Sequence, residues 1–351
     1  MSQASTQTRE PGEITIPGLP SDVRARGFDL ESDAAPLAEF LATVNMADGF
    51  NQVLTPDELR AEWRPTPGFT PSRDALILED ASGIVAHVNV DAQVRSGNVI
   101  HSMEGWVRRD RRRQGIGRAL LRWVERHSAW RARSGATPSP ELPHFLGFGV
   151  LESIPAAMAF AASTGYVPIR YGFQMRRPLA DPIPDIALPD GIEIRPVREV
   201  DHRRIYDADV EAFRDHWEPR ERTEDDFVAT FSFPGLDTSL WRVAWDGDEV
   251  AGSVMNAIFA EENERTGDKL GWLEHVSVRK AWRGRGVAKA LITASMRMHR
   301  DLGMEYAALG VDAGNPTGAL ALYEGLGFRP HLKWINHRKP LDPAAILGEA
   351  S

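Results

Sequence analysis

The chain has 351 residues, more than one compact domain needs at about 150 residues per domain, so two domains are expected and either can bury a core. Hydrophobic residues at 42% and charged residues at 26% exclude a largely disordered or fibrous chain, and a net charge of −9 argues against nucleic acid as the main partner. The absence of cysteine excludes disulfides, thiolate metal sites and a cysteine nucleophile.

In chain order, residues 1–22 read as a flexible tail with no apolar h-region, and residues 153–169, the longest uncharged stretch considered, are interrupted by Pro155, Gly165 and Pro168. No signal peptide and no membrane span are expected, and the expected location is cytoplasmic. The chain then repeats itself. Arg112-Arg113-Gln114-Gly115-Ile116-Gly117 returns as Arg283-Gly284-Arg285-Gly286-Val287-Ala288, an offset of 171 (283 − 112). Thr164-Gly165-Tyr166 returns as Leu326-Gly327-Phe328, an offset of 162 (327 − 165). The nine-residue difference belongs to the polar stretch 131–143 of the first copy. Residues 180–191, with Pro182, Pro184 and Pro189, suit a linker. This gives a first domain at 23–179, a second at 192–341 and a tail at 342–351.

In the second copy, Ile192–Arg195 alternates as a strand and 201–213 is helical. Residues 241–245 and 250–258 read as strands around Asp246-Gly247-Asp248, and 273–278 as a further strand. Val287, Leu291, Ala294 and Met298 keep helical spacing up to Leu302-Gly303. A strand at 307–311, a helix at 316–326 and a final strand complete a mixed α/β domain, a sheet flanked by helices.

The segment 276–288 sets a strand, a basic glycine-rich turn and a helix start in line. Amides at a helix N-terminus lack intrahelical partners and lie at the positive end of the macrodipole, which suits a pyrophosphate. Small residues at 284, 286 and 288 let phosphates reach the main chain. With this motif in both halves, the sequence resembles the GNAT acetyltransferase superfamily. Its pattern of Gln or Arg, two residues, Gly, one residue, then Gly or Ala is met by Arg283, Gly286 and Ala288, and again by Arg112, Gly115 and Gly117. The layout, two such domains joined by a proline-containing connector, is similar to the mycothiol synthase family.

The resemblance implies two tandem GNAT-like domains, each a mostly antiparallel sheet, acetyl-CoA as co-substrate, and direct transfer of acetyl to the primary amine of a small molecule. It places the co-substrate on Val276, Ser277, Val278, Arg283, Gly284, Arg285, Gly286, Val287, Ala288, Lys289 and Asn315. A weaker counterpart is Val107, Arg112, Gly115, Ile116 and Gly117. Transfer needs a deprotonated amine, a thioester close to it and a proton for the leaving thiolate. Tyr323 fits the proton donor. Subtracting 162, the first copy has Ser153 for Asn315 and Ala161 for Tyr323, so the second domain is expected to be catalytic and the first a scaffold that still holds, or once held, acetyl-CoA.

The expected base is Glu274, beside His275; an unbulged strand points these two to opposite faces. The base of mycothiol synthases would fall at Trp272, which shares a face with Glu274 in a regular strand. Residues 213–217 lie where GNAT domains form part of the acceptor wall. The arginines at 108, 109 and 111–113 match a CoA phosphate or solvent better than nucleic acid. The ten histidines show no metal spacing, so no metal is expected. A non-catalytic acetyl-CoA-binding regulator remains the rival class. Within the enzyme class the acceptor is open between a mycothiol precursor, an aminoglycoside-like amine, a polyamine and a protein N-terminus. The assembly is expected to be a monomer or homodimer.

Overall fold

A computed structural model describes residues 13–315 and 318–348. Parts of the two expected tails, 1–12 and 349–351, and the first two residues of the expected helix 316–326 lie outside the described residues. Contacts divide the chain into a first unit, up to Phe148 plus the residues from Lys339 onward, and a second unit, Gly149–Arg338.

The first unit runs β1 (Glu13–Ile14), β2 (Arg24–Gly27), α1 (Leu30–Ala47), α2 (Pro56–Glu62), α3 (Pro71–Asp74), β3 (Ala75–Asp80), β4 (Gly83–Arg95), β5 (Asn98–Val107), α4 (Ile116–Ser134) and the start of β6 (His144–Leu151). Helix starts follow from side chains that satisfy free amides. The Asp29 carboxylate accepts from Ser32 N at 2.9 Å, and Thr55 and Glu58 form a capping box. The apolar face of α1, with Leu37, Leu41 and Val44, packs with Ala75 and Ile77 of β3. Neighbouring strands are antiparallel except β5 and β6, which are parallel.

The second unit contains α5 (Pro155–Ala162), β7 (Val167–Pro178), β8 (Ile192–Arg195), α6 (His202–Phe213), α7 (Glu224–Phe231), β9 (Arg242–Asp246), β10 (Glu249–Ala257), α8 (Ala260–Thr266), β11 (Leu270–Val278), α9 (Val287–Asp301), β12 (Tyr306–Asp312), α10 (Ala319–Gly325) and most of β13 (Arg329–Pro340). Its strand order is β13-β7-β12-β11-β10-β9-β8, with only β11 and β12 parallel. One core, including Leu273, Leu291, Met296, Leu309, Tyr323 and Phe328, lies under α9 and α10. A second, with Ile205, Ala208, Val243, Trp245 and Met255, lies under α6. Thus the sheet is covered on both faces.

The repeat is structural. In the first unit β5 and β6 pair from Val99↔His144, and in the second β11 and β12 pair from Leu270↔Tyr306, at the two sequence offsets of 171 (270 − 99) and 162 (306 − 144). The extra residues of the first copy divide between helix and loop: α4 has 19 residues where α9 has 15. Two features depart from the sequence boundaries. The strand β7, part of the first copy in sequence, lies between β12 and β13, with Leu309↔Met175 and Trp334↔Gly172 among its pairs, so residues 149–179 group with the second unit. The described parts of the two expected tails are also ordered. Residues 13–14 pair with β2, Ile16 is buried, and α11 (Pro343–Leu347) is capped by Asp342. The segment 180–191 has no helix or strand, as its prolines require, but Ile183, Ile186 and Leu188 pack on the second unit's core. Among the described residues no helix is long and apolar enough to cross a membrane, and no group of three His, Asp or Glu side chains is placed to hold a metal.

Candidate active site

The site begins where two parallel strands separate. Pairing of β11 with β12 stops at Trp272↔Ala308, although both strands continue to Val278 and Asp312. From residue 273 onward β11 has a ladder partner on its β10 side and none on its β12 side among the described residues. A free backbone edge of this kind accepts an extended, amide-containing ligand as an added strand. Val276, Ser277 and Val278 lie on this stretch.

At the end of β11, a 3-10 turn at Lys280–Trp282 leads into α9. Gly284 and Gly286 have φ of 75° and 90°, left-handed values that favour glycine, and Gly286 caps the helix without any side-chain acceptor. The N–H groups of residues 284–289 have no hydrogen-bond acceptor among the described residues. A run of free amides at the positive end of a 15-residue helix is the geometry that binds a phosphate. The Arg283 guanidinium has a different task. Its Nε donates to Val278 O at 3.0 Å, Nη2 to Ala212 O at 2.9 Å and Nη1 to Asp215 at 2.6 Å, so it ties the turn to β11 and to the end of α6.

Tyr323, on α10, is 6% exposed and packs edge-on against Phe328, 6.0 Å between ring centres. Its cluster includes Leu273, Val276 and Val278 of β11 and Leu309 and Val311 of β12, the residues that flank the separation. Its hydroxyl makes no hydrogen bond among the described residues, and burial raises its pKa to about 12, so it carries its proton at neutral pH. Asn315 lies in the turn after β12, with its amide donating to Asp312 O and its carbonyl accepting from Gly318 N.

The other face of β11 carries Glu274 and His275. The β10–β11 register shifts between Met255 and Asn256: Met255 faces His275, Asn256 faces Leu273, and Glu274 is the extra residue of a β-bulge. In consequence Leu273 and Val276, three residues apart, both enter the α9 core, while Glu274 and His275 project together on the α6 side. The opposite-face expectation for an unbulged strand therefore does not apply. Glu274 is solvent-accessible yet closely surrounded by protein, and loss of bulk water raises its carboxyl above the usual range, with the neighbouring His275 opposing. Burial works against the His275 imidazolium, but the hydrogen bond and charge of Asp209, with Glu274, outweigh it and raise its pKa.

Asp209 escaped the sequence reading. The readable signal was a carboxylate within the buried face Ile205, Ala208, Ala212 of α6, where a lone charge is costly unless it has a partner. The arginine-rich segment of the first unit is largely paired with carboxylates: Arg108 with Asp80 and Asp110, Arg111 with Asp22, and Arg112 with Asp48.

The first unit keeps the turn in altered form. Arg112 Nε donates to Val107 O at 2.9 Å, as Arg283 does to Val278, and Gly115 caps α4 at φ 87°. Here, however, residues 17–22 lie alongside. Gly18 O is 3.5 Å from where a Cβ on Gly115 would sit, Arg122 donates to Pro17 O at 3.3 Å, and Arg111 pairs with Asp22 at 2.8 Å. In the first sequence copy the position matching Tyr323 is Ala161, which belongs to the second unit, is buried and has no proton to give.

Residues 202–328 match the acetyltransferase (GNAT) family model. The chain is 28% identical over 309 residues to the mycothiol acetyltransferase of Geodermatophilus obscurus, covering 87% of this chain and 94% of that one. It is 33% identical to the mycothiol acetyltransferase of Salinispora arenicola over 65% of this chain and 69% of that one. Among solved structures it is similar to a GCN5-related N-acetyltransferase from Sphaerobacter thermophilus, with a TM-score of 0.68, 28% identity, and coverage of 93% and 98%. A tandem GNAT protein from the clavulanic acid biosynthesis pathway shares the fold at a TM-score of 0.64 and 17% identity, over 92% of this chain and 99% of that one.

Proposed function

Because the chain belongs to the GNAT acetyltransferase family, we propose that it transfers acetyl from acetyl-CoA directly to the primary amine of a small molecule, in the cleft of its second unit. The observation that carries this reading is the run of free amides at 284–289 beside the unpaired edge of β11, with Tyr323 and Glu274 on opposite faces of that edge. The residues present fit the co-substrate. The free amides and the αL glycines suit its pyrophosphate, Val276, Ser277 and Val278 its amide-bearing arm, and Asn315 the end of β12 beside it. Acetyl-CoA supplies an activated thioester. The Arg283 side chain contributes by holding the turn in shape.

On the α6 side, Glu274 takes the proton of the acceptor ammonium, freeing the nitrogen lone pair for the carbonyl carbon. On the α9 side, the Tyr323 hydroxyl donates a hydrogen bond to the sulfur as the carbon–sulfur bond breaks, and the second proton of the acylated nitrogen leaves to the departing thiolate. With no cysteine in the chain, transfer needs no acetyl-cysteine step. The first unit acts as scaffold, and residues 107, 112 and 115–117 hold acetyl-CoA weakly or not at all.

The relatives' names make the cysteinyl-glucosaminyl-inositol precursor of mycothiol the first acceptor to try. Trp272, at the position where that family's base would fall, keeps an aminoglycoside-like amine and a polyamine in the panel. A thiol-release assay with acetyl-CoA over these amines tests the reading. Release that depends on one amine, with its acetylated product detected by mass, supports it. Binding of acetyl-CoA without release for any amine favours a regulatory acetyl-CoA sensor.

A further inference from the structure

The bulge does more than turn Glu274 toward the acceptor side: it sets an imidazole next to it, and that imidazole has its own partner. His275 Nδ1 lies 3.0 Å from Asp209 Oδ2 across the β11–α6 interface. Asp209 is 7% exposed, and its Oδ1 has no hydrogen-bond partner among the described residues. A buried carboxylate in this state is strongly destabilised unless a positive charge adjoins it. The Phe213 ring, 5.2 Å from the imidazole between centres, limits its tilt. The His275 side chain remains 42% exposed, and Glu274, next to it in the bulge, interacts with its charge.

We propose that Asp209 and His275 form a positioning pair for Glu274, in which Asp209 fixes the imidazolium through Nδ1 and the imidazolium keeps the neighbouring carboxylate ionised inside the cleft. The inference rests on Glu274 as the proton acceptor and adds how a poorly hydrated carboxylate stays ready for that task. Without the pair, loss of water alone would push Glu274 toward its neutral form, which cannot accept a proton. With it, the order Asp209, His275, Glu274 alternates negative, positive, negative. The directions of the two pKa shifts agree: His275 is raised by Asp209 and Glu274, and Glu274, raised by desolvation, is pulled back by His275. Other charged or titratable groups near the pair come from α6 itself, where burial and the charges of Asp226 and Asp209 raise the pKa of the Tyr206 phenol, and from the segment after it. Arg222 opposes the imidazolium, and the His216 ring lies tilted against Phe213, 4.2 Å between centres, with its own pKa lowered by burial. The β10 residue opposite His275 is Met255, which carries no charge.

The test needs no acceptor. In the full-length chain labelled with carbon-13, the carboxyl of Glu274, assigned by its loss in Glu274→Gln, is titrated by NMR in the wild type, Asp209→Asn and His275→Gln. The expected result is an upward shift of the Glu274 midpoint by about one pH unit or more in both variants, with the His275 midpoint falling in Asp209→Asn. Asp209→Asn is near-isosteric, and amide chemical shifts away from α6 and β11 report whether each variant keeps the fold. An unmoved Glu274 midpoint in a folded variant overturns the proposal, because a pair that only packs would leave it alone. The underlying reading fails separately. If the pH profile of thiol release keeps its rising limb in Glu274→Gln, Glu274 is not the base, whatever the titration shows. A rising limb that moves to lower pH in Asp209→Asn makes His275 itself the base and also overturns the proposal.

Discussion

Tyr323→Phe separates chemistry from folding at this site. The ring packs on Phe328 inside the α9–α10 core, and the hydroxyl makes no hydrogen bond among the described residues. Removing the oxygen therefore breaks no hydrogen bond and leaves the packed ring in place, so stability should change by less than about 1 kcal/mol. The catalytic loss can be bounded. A phenol raised to about 12 is a much weaker acid than a thiol of pKa about 8.5, a gap of roughly 3.5 units or about 5 kcal/mol at 1.36 kcal/mol per unit. Complete proton transfer to a thiolate is thus uphill, and what Tyr323 offers is a hydrogen bond to developing negative charge, worth about 1.5–3 kcal/mol. The expected drop in kcat is roughly 10- to 150-fold, with the KM for acetyl-CoA within about threefold of wild type. Steady-state thiol release measures both, and thermal melting checks the fold. A kcat unchanged in a variant with wild-type melting would refute the role. A high tyrosine pKa also predicts no falling limb from this residue in the kcat profile below about pH 10.5, since the neutral donor form persists to its folded pKa.

Four further outcomes follow from the geometry. Gly286→Ala puts a Cβ on a residue at φ 90° and should cost about 1–2 kcal/mol of local strain, raising the KM for acetyl-CoA well above its effect on kcat; unchanged kinetics would remove this turn from the binding site. Calorimetry should count one acetyl-CoA per chain, because the carbonyl of Gly18 beside Gly115 repels a phosphate at the first turn, and a stoichiometry of two would contradict this. A fragment starting at residue 180 lacks β7, leaving β12 and β13 without the strand between them, and should not fold, whereas one starting at 149 retains that strand; circular dichroism of both distinguishes them. Gly271→Ala would place its Cβ 2.2 Å from the buried His299 ring, so chemical denaturation should show a loss of about 1–3 kcal/mol or more.

The sequence exposed what is local or repeated. The alternation of Ile192–Arg195 and the helical spacing from Val287 to Met298 both reappear as elements, because each depends on neighbours within a few residues. The repeat arithmetic survives as strand pairing because both copies fold the same way around their parallel pair. Long-range choices were hidden. Nothing in residues 167–178 states that this strand joins β12 rather than its own copy, since strand partners are set by which edges remain open. The bulge at Glu274 depends on the β10 register, and one inserted residue reverses which face a side chain takes. Arg283 sits in a motif where a positive charge suggests a phosphate ligand, but its three acceptors come from β11, α6 and Asp215, which sequence spacing does not bring together.

The most direct measurement is a crystal structure of the full-length chain with acetyl-CoA. The account predicts the pyrophosphate on the amides of residues 284–289, the pantetheine arm along Val276–Val278 on the β12 side, and the sulfur within hydrogen-bonding distance of Tyr323 Oη. Acetyl-CoA held only at Gly115 and Gly117, or bound in the second unit with its sulfur away from Tyr323, would contradict it.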